Sequence, residues 1–316
     1  MTKNETAAWL KNHDNYVIIT HKNPDGDTIG SAIGLCKGLR QLGKTASVFA
    51  NPQFTPKFTQ YLQGVTSDII TSGTTLVSVD MADGALCPPV IEGYVNQIQL
   101  AIDHHGSHRP FAENLYVEGD SAACTEVIYE ILVEMGATIT AEIATPLYVG
   151  LVTDTGRFLH SSVTPRSFAI AAKLKEAGCD TYAVNQVFFG GKPLRRYQLD
   201  AKLIGEMEFY KDGEIAVCPL KLSWMEEMGL NEDDMDAVSG FPRAIEGVKI
   251  GIVIKERDGG FQKISMRTQP GTDAATICGH LGGGGHKAAA GATVEGTYED
   301  AKTAIFGAMQ DEGVAV

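Results

Sequence analysis

Apolar residues follow two different periods along the first half of the chain. Short runs at 16–20, 46–49, 76–80 and 99–103 are dominated by apolar residues, as in Tyr-Val-Ile-Ile-Thr. Runs of that length and character predict buried strands rather than half-exposed ones. Between them the apolar positions fall three and four apart. From Thr28 they are Ile29, Ile33, Leu35, Leu39 and Leu42, and Gly43 follows, which predicts a helix with a glycine stop. Segments 121–135 and 165–177, the latter closing at Gly178, read the same way. Strands alternating with helices predict an α/β fold whose N-terminal part is an open, mostly parallel sheet with flanking helices.

The pattern changes near residue 190. Residues 192–204 are polar and helical, with Arg195, Arg196 and Lys202, and read as a connector. Beyond it, 206–210, 215–219, 248–254 and 261–266 read as strands, with Asp212-Gly213 and Asp258-Gly259 as hairpin turns. The expected layout is one domain over 1–190, a helical linker over 191–205 and a smaller α+β domain over 206–316. Neither a solenoid-length repeat nor a low-complexity tract interrupts it.

Composition narrows the class. The 316 residues are 44% hydrophobic and 21% charged with 12 prolines, so disorder and a disulfide mini-scaffold are excluded. Twenty-six basic against 39 acidic residues leave a net charge of −13, a field that repels long polyphosphate chains. Small anions need only a local cationic pocket, which bound divalent metals can supply. The six cysteines form no Cys-x-x-Cys pair, so reduced thiols are expected. A polar N-terminus and the absence of 18 consecutive apolar residues lead us to expect a soluble cytoplasmic protein with no membrane partner.

Candidate chemistry gathers where predicted segments end. His21-Lys-Asn-Pro24-Asp25-Gly26-Asp27 follows the first strand directly, at the carboxyl end where open α/β sheets bind ligands. Pro24 and Gly26 force a turn that can present the two flanking carboxylates in different directions. Alone, this is equally well a turn with a helix cap. Asp80 closes Leu-Val-Ser-Val-Asp, Asp103-His104-His105 closes another apolar run, and Asp154 sits in Leu-Val-Thr-Asp-Thr-Gly after a helix-like stretch. Metal-capable groups at four segment ends are hard to explain as turns. Oxygen-rich ligation with a few imidazoles suits Mn²⁺ or Mg²⁺. A pair of such ions bridged by a carboxylate implies phosphoester hydrolysis.

Together, His21-x-Asn-Pro-Asp25-Gly-Asp27, Asp80, Asp103-His104-His105 and Asp154 resemble the signature of the DHH-family phosphoesterases. Gly282-Gly283-Gly284-Gly285-His286 resembles the glycine-rich motif of the family's associated C-terminal substrate domain. Length and layout are similar to the nanoRNase type, oligoribonucleases that often also remove the 3′-phosphate of adenosine 3′,5′-bisphosphate (pAp). The resemblance implies an active site in the interdomain cleft holding two Mn²⁺ ions, with Mg²⁺ as the alternative. His21, Asp25 and Asp80 would hold one ion, and Asp27, Asp80, His104 and Asp154 the other, with Asp80 bridging. Asp103 would orient a histidine. His105, beside the metals without being needed as a ligand, would bind the scissile phosphate or protonate the leaving oxygen.

The same resemblance turns the glycine run, otherwise readable as a flexible loop, into a pocket for the substrate's terminal phosphate or nucleoside, with Gly284, Gly285 and His286 in it. Arg267, in Ile-Ser-Met-Arg-Thr, matches a strand-borne arginine able to pair with phosphate. Arg157, close after Asp154, is a further substrate contact by position. Relatives often carry an arginine shortly after the bridging aspartate, and Asp83-Gly-Ala-Leu-Cys87 has none. The expected substrates are short RNA oligonucleotides cut to 5′-mononucleotides, and pAp cut to AMP and phosphate. Long double-stranded nucleic acid is not expected, and a homodimer is a common arrangement in such relatives. A cyclic-dinucleotide or pApA phosphodiesterase is the alternative enzyme, and a non-catalytic nucleotide sensor the alternative of another class. A complete ligand set speaks against the sensor.

Overall fold

The structure is a computed structural model that describes residues 1–230, 233–235 and 238–316. The chain divides into two compact units, Met1–Gly191 and Lys192–Val316. The first begins with α1 (Lys3–Asn12), β1 (Tyr16–Ile19), α2 (Gly26–Gln41), β2 (Ala46–Phe49), a short α3 (Thr59–Leu62), β3 (Thr66–Ser67) and β4 (Thr75–Val79). It continues with β5 (Leu100–Asp103), β6 (Asn114–Val117), α4 (Cys124–Glu134), α5 (Ala141–Asp154), α6 (Pro165–Glu176) and α7 (Thr181–Asn185). All six strands are parallel, in the order β3-β2-β1-β4-β5-β6. Strand order therefore reverses between β1 and β4, and the crevice beyond their carboxyl ends is the topological switch point where open α/β sheets bind ligands. Every residue of β1, β4 and β5 is buried, as unbroken apolar runs require in a sheet covered on both faces.

Packing of α2 against α5 sets where the strand ends meet the helices. A Cβ at Gly30 would lie 2.3 Å from the Pro146 carbonyl oxygen and 2.9 Å from the Gly150 nitrogen. The two backbones can touch only because α2 carries glycine there. The close approach brings the first turn of α2 and the last residue of α5 to the same end of the sheet.

The second unit contains α8 (Leu194–Gly205), β7 (Glu208–Tyr210), β8 (Ile215–Leu220), α9 (Leu222–Glu227), β9 (Ile250–Arg257) and β10 (Phe261–Thr268). It ends with α10 (Ala274–Gly279), β11 (Gly284–His286), β12 (Ala289–Glu295) and α11 (Tyr298–Asp311). Its sheet is mixed, ordered β11-β12-β10-β9-β8-β7, with β8 and β9 the parallel pair. Alternation divides the faces. Ile252, Ile254, Ile264 and Met266 pack with Ile277, Ile305 and Met309 from α10 and α11, while Cys218, Leu220 and Val253 pack with Leu199, Leu203 and Trp224 from α8 and α9. The connector helix α8 is thus part of this second core. Half of the glycine run is strand rather than loop. Gly284 and Gly285 lie in edge strand β11, paired antiparallel with β12 across a two-residue turn. All six cysteines are buried and unpaired. Among the described residues no helix is long and apolar enough to cross a membrane.

Candidate active site

Four segment ends of the first unit deliver six side chains to one place. His21 follows β1, Asp80 follows β4, and His104 follows β5. Asp25 is the N-cap of α2, Asp27 sits in that helix's first turn, and Asp154 is the last residue of α5. Ligand atoms of His21, Asp25 and Asp80 lie within 4.8 Å of one another, as do those of Asp27, His104 and Asp154 and those of Asp80, His104 and His105. The individual separations are 3.7 Å from His21 Nε2 to Asp25 Oδ1, 3.8 Å to Asp80 Oδ2, and 3.3 Å from His104 Nε2 to Asp80 Oδ1. His104 Nε2 is 3.7 Å from both Asp27 Oδ2 and Asp154 Oδ2. Two atoms that ligate one ion at about 2.1 Å stand roughly 3.0 Å apart at a right angle and roughly 4.2 Å apart when opposite, so the observed spacing fits atoms arranged around cations.

The residues fit divalent metals on three further grounds. Asp80 is 3% exposed, and its Oδ1 accepts no hydrogen bond, a buried carboxylate oxygen left for another partner. Its backbone is left-handed at φ 55°, a conformation that costs an aspartate energy and often marks a functional position. Both imidazoles are held by Nδ1, His21 to the Lys22 carbonyl at 2.7 Å and His104 to the Ser121 carbonyl at 3.0 Å. An Nδ1–H donated to a carbonyl leaves Nε2 with its lone pair toward the carboxylates, as a ligating histidine needs.

Electrostatics agree. Burial, then Asp80 and Asp154, push the Asp27 carboxyl well above its ordinary value. Burial raises Asp154 to about 6, with His104 offsetting part of that and Asp80 adding to it. Burial lowers His21, but Asp25 and Asp80 outweigh it and lift the imidazole to about 9. Without cations this cluster can keep its charge balance only by holding protons. Asp27 also does structural work: its carboxylate accepts Cys124 N–H at 2.6 Å and Thr125 N–H at 2.9 Å, capping α4, whose own N-cap Ala123 offers no side-chain acceptor.

Asp103 faces two histidine rings, neither of them that of His104. Oδ1 accepts the His104 backbone N–H and faces His105 Nδ1 at 2.8 Å, and Oδ2 faces His108 Nδ1 at 2.7 Å. His105 stands at the rim with its side chain 36% exposed, its Nδ1 3.7 Å from Asp80 Oδ1 and its Nε2 free of protein partners. The sequence reading passed over His108. Its available signal was a third imidazole one turn beyond His105 in a segment otherwise built from turn residues.

The remaining predicted residues are not among those whose ligand atoms come together. Arg157 is exposed, left-handed at φ 62°, with its guanidinium 5.1 Å from the Phe189 ring centre. In the second unit Arg267 and His286 both register with Ala289, so the three side chains share one sheet face. Met266 and Ala290 are buried on the opposite face, so Arg267 and His286 point away from the core built with α10 and α11, roughly 10 Å apart across three strands. Between them lie only Ala289 and, one step along, Ser265, Gly291 and Gly284, which leaves a shallow floor. Arg267 donates to the Met266 carbonyl and to Ser239 Oγ, both at 3.0 Å. Among the described residues no carboxylate pairs with it, and burial lowers its pKa, so this guanidinium is suited to an anion.

Comparison with known proteins places these features. The profile of the DHH family, N-terminal domain, matches residues 15–151, and that of the DHHA1 domain matches residues 213–312. The chain is 34% identical over 302 residues to the bifunctional oligoribonuclease and PAP phosphatase NrnA of Thermus thermophilus, covering 93% of this chain and 89% of that one. It is 27% identical to the cyclic-di-AMP phosphodiesterase GdpP of Bacillus subtilis, over 86% of this chain but 44% of that protein. An exopolyphosphatase-related protein from Bacteroides fragilis shares the fold, with a TM-score of 0.88 at 22% identity over 98% of this chain and 95% of its own.

Proposed function

From the chain's membership of the DHH family, we propose that it is a manganese-dependent phosphoesterase that hydrolyses short oligoribonucleotides to 5′-mononucleotides and pAp to AMP and phosphate. The observation that carries this reading is the convergence of His21, Asp25, Asp27, Asp80, His104 and Asp154 from four segment ends, with an unpartnered oxygen on Asp80 at the centre. Support for the substrate comes from the relative named an oligoribonuclease and PAP phosphatase, which matches along nearly the whole chain.

His21, Asp25 and Asp80 hold one ion and Asp27, Asp80, His104 and Asp154 the other. When bound, the ions neutralise phosphate charge and activate the attacking water. The protein's own groups do the rest. Lys22 and Ser121 carbonyls fix the two ligand imidazoles. His105, with Nδ1–H on Asp103, carries the proton at Nε2 that passes to the leaving oxygen. Arg267, His286 and the small-residue floor between them bind a substrate phosphate, Gly284 and Gly285 leaving room for it. Arg157 adds an exposed cation to the rim of the first unit. The first unit is accordingly the catalytic metal-binding domain and the second the substrate-binding domain of a cytoplasmic enzyme that works as a homodimer, the last point read by sedimentation.

The test is Mn²⁺-dependent turnover of pAp, pApA, a 5-mer and a 24-mer RNA, cyclic di-AMP and pyrophosphate, with Asp80→Ala as control. Turnover of pAp and the 5-mer that is lost in the variant is the expected result. Preference for cyclic di-AMP would move the assignment to the second reading, which the likeness to GdpP favours. Tight nucleotide binding without turnover of any substrate would overturn both and leave a sensor.

A further inference from the structure

Asp103 is fully buried, and its carboxylate is gripped from two sides. His105 takes Oδ1 and turns its other ring nitrogen outward, whereas His108 takes Oδ2 and contributes nothing to the metal cluster. His108 is itself built into place. Its side chain is 5% exposed, its backbone N–H donates to the His105 carbonyl at 3.0 Å, and its ring lies 5.4 Å from that of Phe111. Among the described residues its Nε2 is buried without a partner, so the ring's one side-chain hydrogen bond is the one from Nδ1 to Asp103.

We propose that His108 is a positioning residue for the reaction: by clamping Oδ2 it fixes the rotation of the Asp103 carboxylate, and through Oδ1 the orientation of the His105 ring. The torsion that turns a carboxylate is soft, so a carboxylate held at Oδ1 alone would let the imidazole swing with it. The orientation of a proton-carrying group matters steeply, since misplacement by about 1 Å can cost about 10²-fold in rate. A buried imidazole that touches neither metal cluster nor solvent, yet gives a 2.7 Å hydrogen bond to the carboxylate behind His105, has this one evident use.

The inference rests on the phosphoesterase reading, and its test separates the two. Four variants are compared with the wild type on pAp and a dinucleotide: H108F, which keeps a ring against Phe111 but has no donor; H108N, whose side-chain amide can replace the Nδ1–H; and H105A with and without H108F. The expected result is a fivefold to twentyfold lower kcat in H108F with KM within twofold, recovery to within about threefold in H108N, and no further loss when H108F is added to H105A. A role in folding alone would instead add its loss in the H105A background and would not be rescued by asparagine. Should H108F not fold, the wild type itself decides by nuclear magnetic resonance: exchange-protected imidazole N–H protons are expected on both His105 and His108, beside those of His21 and His104. Wild-type rates in H108F, additive losses with H105A, or absence of the His108 N–H signal would overturn the inference. A wild type that turns nothing over would overturn the phosphoesterase reading instead.

Discussion

In the first unit the decisive charged groups converge from strand and helix ends with Asp27 and Asp80 buried at the centre, while in the second Arg267 and His286 stand on one face of antiparallel strands with small residues between them. The physical demands differ accordingly. Four carboxylates brought within ligand distance repel one another, and burial raises the cost, so the first unit must surround them with helix ends, backbone N–H donors and fixed imidazoles. The second unit has one half-buried guanidinium to place, and two neutral oxygens suffice. A site that binds cations through converging acids needs rigidity from every side. A site that binds an anion through one arginine and a histidine needs mainly an open floor. On the proposed reading, chemistry belongs to the first unit and substrate affinity to the second.

The sharpest way to break that comparison is to remove the central acid. Asp80→Asn keeps the size of the side chain and loses its charge, and kcat on pAp is expected to fall by about 10³-fold or more with nucleotide affinity of the second unit retained. A loss confined to KM would contradict the division of labour. Arg267→Ala should do the reverse, raising KM by about tenfold to a hundredfold, the worth of a charged hydrogen bond, with kcat changed far less. Steady-state kinetics on pAp read both.

Melting sharpens the contrast at a smaller scale. Asp27, Asp154, His21 and His104 all have folded pKa values raised above their ordinary ones, whereas Asp25 and Asp103 are lowered and titrate at more acid pH. Above the carboxylate range the folded metal-free protein therefore holds the extra protons, and its stability is expected to fall as pH rises from the Asp154 value of about 6 to the His21 value of about 9. Mn²⁺ at 100 times its Kd should restore about 2.7 kcal/mol, seen as a higher Tm at pH 7.5 that EDTA removes. A Tm of metal-free protein that climbs across that range would refute the reading of the cluster as short of cations.

Two glycines give the smallest test. Gly30→Ala places a methyl group on the α5 backbone and should cost about 1–3 kcal/mol. At Gly284 a Cβ would meet nothing within 4 Å, so Gly284→Ala should shift stability by less than about 1 kcal/mol and act through substrate KM instead. Equal losses of Tm in both would show that the second unit's floor is as tightly packed as the first unit's helix contact.

Much of this was legible from residue order. Unbroken apolar runs in 16–20, 76–80 and 99–103 mark strands buried on both faces, because only such strands can dispense with polar alternation. The carboxylates and histidines that follow them are legible for the same reason: a chain leaving a buried strand has no structural need for Asp80 or Asp103-His104-His105. Arg267 and His286 are expected at the same end of the substrate through the family resemblance, while their shared sheet face depends on pairing through β12.

What the order of residues could not contain is anything that depends on two distant segments meeting. The glycines at 282–285 read as a loop because glycine is a poor strand former, yet β12 supplies the hydrogen bonds that make Gly284–His286 an edge strand. Asp27 caps α4, 97 residues further on, because Ala123 cannot. Asp103 attends His105 and His108 rather than the His104 ring because the Ser121 carbonyl reaches that ring first. The sequence by itself determined the parallel sheet, the residue types of the site and their arrival at strand ends, since these follow from local periodicity and from where apolar runs stop. Which acid faces which imidazole, and the left-handed turn that holds Asp80 at the centre, were decided by tertiary structure, because hydrogen-bond partners and backbone strain are set by what packs alongside.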